Sequence, residues 1–144
     1  MANALRRAFE TDNNLETKGI VLDYGEGVEI TVARAGGANK KFTKALARLT
    51  KPHRVAIRNE TMHEDASSRL LHTAYAETVV LGWKGVTKDI ITQDDADATQ
   101  ELAFTKDNII AVFKALPDLF ADVATMSQNI SLYRNEQLEL DAGN

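Results

Sequence analysis

Three histidines, two adjacent serines and a run of aspartates are the side chains here that could catalyse a reaction or hold a metal. His63 sits in Met62-His63-Glu64-Asp65, but a zinc-protease helix needs a second His four residues after the first. His63 and His72 are nine residues apart, which on one helix turns them to roughly opposite sides. His53 has no partner at ligand spacing. Ser67 and Ser68 lie beside His63 and Asp65, yet without the glycines and strained turn of a nucleophile elbow. Counted from Asp94 as a calcium loop, Asp94, Asp95 and Asp97 would need a turn glycine where Thr99 stands and a closing Glu where Thr105 stands. The acidic stretch therefore reads as a solvated loop. With no cysteine in the chain, disulfides, thiolate nucleophiles and Cys-based metal sites are excluded. No catalytic, cofactor-binding or metal-binding residues are assigned, and the expectation is a protein that is not an enzyme.

The glycines do not alter that expectation. Gly25-Glu26-Gly27 lacks the third glycine of a dinucleotide fingerprint and puts a carboxylate where a pyrophosphate would sit. Ala35-Gly36-Gly37-Ala38-Asn39-Lys40-Lys41 lacks the spacing and the Ser/Thr of a P-loop. Both read as turns.

What the chain does carry is segregated charge. Between Glu29 and Glu60 there is no Asp or Glu, while Arg34, Lys40, Lys41, Lys44, Arg48, Lys51, Arg54 and Arg58 all fall there. The net charge is nevertheless -4, so the remainder is strongly acidic. Such a dipolar layout points to an acidic partner or to head-to-tail self-association, a possible homo-oligomer. Lys40, Lys41, Lys44, Arg48, Lys51, Arg54 and Arg58 are accordingly the candidate partner-binding residues. Trp83, the only Trp, joins them as an aromatic anchor just past a helix end. Phosphates would suit the basic stretch, but the protein is acidic overall and shows no helix-turn-helix, zinc finger or stacking sheet. Nucleic acid is not the expected partner.

The elements that must position these residues follow from periodicity. Residues 1–17 read as a mobile N-terminal arm with a short helix around Leu5 and Phe9. A β-hairpin is expected over 19–35, where Ile20 and Leu22, then Val28, Ile30 and Val32, alternate about Gly25-Glu26-Gly27. Asn39 caps a helix through Phe42, Ala45, Leu46 and Leu49, and Pro52 opens a short one through Val55 and Ile57. Thr61 and Glu64 match a capping box ahead of a long apolar stripe from Met62 to Leu81 that ends near Gly82. Thr105 caps a helix with Ile109, Val112, Phe113 and Leu116, and Pro117 starts the last. Residues 135–144 form a polar tail. The fold class is therefore α+β and mainly α: an N-terminal β-hairpin packed on four to five helices, one globular domain over 18–134 with its helical part at 39–134. No run reaches the roughly 18 apolar residues of a membrane span, and no secretory signal opens the chain; no membrane partner is expected.

Several strings in this frame resemble a known group. They are Leu22-Asp23-Tyr24-Gly25-Glu26-Gly27, Ala33-Arg34-Ala35-Gly36-Gly37-Ala38-Asn39-Lys40-Lys41-Phe42, Val79-Val80-Leu81-Gly82-Trp83-Lys84-Gly85-Val86, Leu102-Ala103-Phe104-Thr105-Lys106-Asp107-Asn108 and Leu116-Pro117-Asp118-Leu119. In order, over 19–134, they resemble the tail assembly chaperones of long-tailed, siphovirus-like bacteriophages. Relatives often carry a short Asp-Gly turn where this chain has ITQDDADATQE. The resemblance implies a non-enzymatic protein that binds the phage tape measure protein, keeps it soluble and recruits tail tube protein subunits during tail morphogenesis. It would act in the bacterial host cytoplasm and be absent from the mature virion. The alternatives are a structural virion component, such as a head-tail completion or tail tube protein, and a nucleic-acid-binding regulator.

Overall fold

The structure is a computed structural model describing residues 3–92 and 98–134. Two short helices, α1 (Ala4–Phe9) and α2 (Asn13–Lys18), lead into a hairpin of β1 (Ile20–Gly25) and β2 (Val28–Val32). Five helices follow the hairpin: α3 (Lys40–Thr50), α4 (Arg54–Arg58), α5 (Glu64–Thr78), α6 (Lys106–Ala115) and α7 (Pro117–Gln128). Between α5 and α6 lies a third strand, β3 (Val80–Lys84). The architecture is mainly helical α+β, with the expected N-terminal hairpin forming part of a three-stranded antiparallel sheet in the order β1-β2-β3.

The third strand corrects the reading of Leu81-Gly82-Trp83 as a helix end and turn. The long helix stops at Thr78, and the next residues pair with β2 as Thr31↔Gly82 and Ile30↔Trp83. Val79, Val80 and Leu81 continue an apolar pattern that suits either a helix or a strand; the free edge of the hairpin selects the strand, because its backbone groups need partners. The start of α5 also differs. Its N-cap is His63, whose Nδ1 accepts from the Asp65 amide at 3.2 Å, in place of a Thr61–Glu64 box. The cap at Thr105 and the start at Pro117 stand where the sequence puts them.

The core lies between the sheet and the helices. Leu22, Ile30, Val32 and Val80 from the sheet meet Tyr75, Ala76 and Val79, with Ile109, Val112, Phe113 and Val123 from α6 and α7. Edge-on ring contacts then tie α3, α5, α6 and α7 together. Phe42 meets Tyr75 at 5.3 Å, Tyr75 meets Phe120 at 5.1 Å, and Phe120 meets Phe113 at 5.0 Å. Such pairs add to the area they bury.

The arm expected over residues 1–17 is, in its second half, part of the fold. Asp12 caps α2 by accepting from the Asn14 and Leu15 amides, and its own amide donates to the Tyr133 carbonyl at 2.7 Å. Glu16 is 1% exposed. Its carboxylate accepts from the Ala38 amide at 2.6 Å and from the Thr11 hydroxyl, and pairs with Arg34 at 3.2 Å. Gly37, at φ +55°, makes room for it: a Cβ there would overlap the carboxylate. The helix α1 has no buried residue, leaving Leu5 and Phe9 exposed. The tail at 135–144 and the aspartates at 94–97 lie outside the described residues.

Candidate functional site

The basic residues named from the sequence gather on α3, α4 and the single 3-10 turn that joins them. Lys41, Lys44, Arg48 and Lys51 follow one another at three- and four-residue spacing, so they line one side of α3. The opposite side packs inward: Ala45 is buried, and Phe42 lies against the core. Asn39 sets the direction of this helix in a way the sequence did not announce. Its side chain makes no cap; it is buried and donates to the Arg34 carbonyl at 2.8 Å and the Thr78 carbonyl at 2.9 Å. The start of the basic helix is thereby fastened to the end of α5.

All seven basic side chains are exposed, but one is already engaged. Arg48 pairs with Glu77 on α5, and Glu77 also takes Lys106, at the start of α6, at 2.9 Å. The Lys106 ammonium, with Arg48 behind it, holds the Glu77 carboxyl below the ordinary carboxylate value against the opposing effect of its partial burial. Arg48 thus clamps α3 to α5. Among the described residues Lys40, Lys41, Lys44, Lys51, Arg54 and Arg58 make no ion pair, so their charge is available to a partner.

Trp83 is not part of this face. Its indole N–H donates to the Leu102 carbonyl at 3.0 Å, and its ring stands edge-on to Phe104 at 5.2 Å. It is half-buried and packed against the core. Its polar atom is satisfied inside the protein, and the ring joins β3 to the chain entering α6.

The feature that the sequence reading missed is a groove. Ala47, Thr50, Lys51, Arg54 and Ile57 line an open depression of about 560 Å³ where α3 turns into α4. Ile57 is 43% exposed within it, and Val55 on the same short helix is 59% exposed. The periodicity of α4 was legible, but a helix of five residues gives no sign of which apolar side chains will find cover. A second depression lies between α5 and α6, lined by Asp65, Ser68, Arg69, His72, Ile110 and Lys114. Burial beside Phe113 and Phe120 lowers the His72 pKa below its ordinary value. Among the described residues no group of three or more His, Asp and Glu is arranged to hold a metal ion, and no helix is long and apolar enough to cross a membrane.

A protein-family model described as YdaY prophage protein matches residues 37–144. The match takes in the basic helices, α5, β3 and everything after, and starts downstream of the hairpin that completes the sheet. No curated protein and no solved structure matches the chain.

Proposed function

The chain belongs to the YdaY prophage protein family, and from that premise we propose that it is a non-enzymatic tail assembly chaperone. In this reading it binds the tape measure protein of its phage, keeps that long helical polypeptide soluble, and recruits tail tube subunits around it. It does so in the bacterial cytoplasm and is left out of the finished virion. The observation that carries the reading is the cationic face of α3 and α4, exposed and, among the described residues, without an ion pair at six of its seven positions. The strings that resemble tail assembly chaperones support it, as does the phage origin that the family provides.

The physics of the task fits a surface of this kind. A tape measure protein presents amphipathic helices until the tube closes round it, and such helices are held by grooves with charged rims. Many copies bound weakly along one long target hold it by avidity, so no single site needs to be tight.

The test is co-expression with the tape measure protein encoded by the same prophage. Reversing Lys41, Lys44 and Lys51 to Glu is expected to abolish co-purification. Lys51 is the better third position than Arg48, because Arg48→Glu would set two carboxylates against each other at Glu77. Full co-purification of the triple variant would remove the cationic face from the mechanism. Mass spectrometry of purified virions is expected to find no copies of the protein; stoichiometric copies would make it a structural part instead.

A further inference from the structure

We infer that the groove at the α3–α4 junction is a docking site for an amphipathic helix with acidic flanks, supplied by a different protein. This rests on the binding role proposed above and names the chemistry of the segment bound. Two properties of the groove select the occupant. Its lining includes Ala47 and the exposed Ile57, which gain only from contact with apolar side chains. Its rim carries Lys51 and Arg54, with Lys44 and Arg58 on the same two helices, and no acidic residue occurs between Glu29 and Glu60 to neutralise them. A ligand must therefore bring apolar groups and carboxylates together. A helix with Leu, Ile or Phe at i, i+4 and i+7 and Glu or Asp beside that stripe does so. Duplex nucleic acid brings the negative charge but has no apolar stripe to set against Ile57. A second copy docking by its own α1 would bring Leu5 and Phe9 together with Arg7 and with Arg6, whose charge Glu10 already neutralises, so it offers the cationic rim no net negative charge.

Two kinds of contact then do different work. The cations steer the segment in and fix its direction, while the apolar lining governs how long it stays. Weak, reversible capture of many such segments is what a coat along a long polypeptide requires.

The experiment uses the full chain and a synthetic peptide of roughly four helical turns with Leu at i, i+4 and i+7 and Glu on both flanks. Binding is followed by fluorescence anisotropy. The Glu peptide is expected to bind, to weaken as salt rises, and to lose at least tenfold when the flanks are changed to Lys. Lys51→Glu with Arg54→Glu is expected to cost at least tenfold for the Glu peptide and to restore the Lys peptide. Ala47→Glu, a change at an exposed helix position to a residue that is itself a good helix former, is expected to remove both. Ile57→Asp repeats that arm at a second lining residue, and circular dichroism checks that both variants fold.

Equal affinity for the Glu and Lys peptides overturns the inference, as does binding that survives Ala47→Glu and Ile57→Asp. Concentration-dependent self-association without peptide, lost in the same variants, would assign the groove to a second copy. An oligonucleotide that binds as well and ignores Ile57→Asp would assign it to phosphate. Failure here separates from failure of the chaperone reading. Tape measure co-purification that persists in the Ala47→Glu variant sinks the groove alone. Peptide binding without any tape measure co-purification sinks the chaperone reading alone.

Discussion

Glu16 is a carboxylate placed where carboxylates are rarely found, and its surroundings explain how it stays ionised. Burial by itself would raise its pKa; the Thr11 hydroxyl, the Ala38 amide and the Arg34 guanidinium outweigh that and hold it below the ordinary value. Glu16→Gln keeps the shape and removes the charge, so Arg34 loses its ion-pair partner. We expect a loss of about 1–3 kcal/mol in urea denaturation. The sign with pH follows. A carboxyl whose native pKa lies below its unfolded value stabilises fully above the unfolded value and loses that contribution as pH falls through the native one. For Glu16 and Glu77 the decline therefore starts below about pH 4.5 and steepens downward. His72 acts in a higher window. Its folded pKa lies below 6.5, so the unfolded chain takes up the proton first, and stability begins to fall as pH drops below 6.5. Denaturation midpoints measured from pH 7.5 to 3.5 are expected to show both declines. His72→Phe should flatten the upper one, and Glu16→Gln should shrink the lower one. A profile of wild type indistinguishable from the two variants would discard both assignments.

Elements here differ in what they hold. On the basic face of α3, Lys41 and Lys44 are exposed and make no ion pair among the described residues, so reversing those two should change stability by less than about 0.5 kcal/mol. A melting temperature that falls sharply in that double variant would show the face to be structural. Glu77, by contrast, joins three helices through Arg48 and Lys106. Because both cations are largely exposed, Glu77→Ala is expected to cost no more than about 1 kcal/mol. Its effect should appear locally, as faster amide exchange at the start of α6. The strand β3 is held by pairing and by the Trp83 N–H. Trp83→Phe keeps the apolar ring and leaves the Leu102 carbonyl without its donor, for an expected loss of about 1 kcal/mol or somewhat more.

Over the whole molecule, the N-terminal segment, the loop at 33–39 and the closing turn at 130–133 make one cluster. Asp12 reaches Tyr133, Tyr133 reaches the Val32 carbonyl at 3.2 Å, Arg34 donates its amide to Glu16, and Ala35 donates to Ser127. The chain's described ends are thus brought to the base of the basic helix. Removing residues 1–9 takes away α1, which buries no residue, and the exposed Arg6–Glu10 pair, and should leave the melting temperature nearly unchanged. Removing 1–18 takes Glu16 and Asp12 away and strands Arg34, so it should lower stability by several kcal/mol. Equal behaviour of the two truncations would mean that α2 contributes nothing to the fold.

How much of this was legible in the chain depends on the range of the interactions involved. The hairpin, the cap at Thr105, the break at Pro117 and the segregation of charge are written locally, in neighbours a few residues apart, and they determine most helices, their order and the cationic face. Three things needed the tertiary structure. The segment at 80–84 became a strand because the open edge of β2 offered it backbone partners. Glu16 became an interior residue because a loop some 20 positions away, lacking a Cβ at Gly37, closed over it. The groove beside Ile57 exists because α4 turns away from α3 and leaves apolar surface uncovered, a matter of packing between elements that no periodicity along the chain encodes.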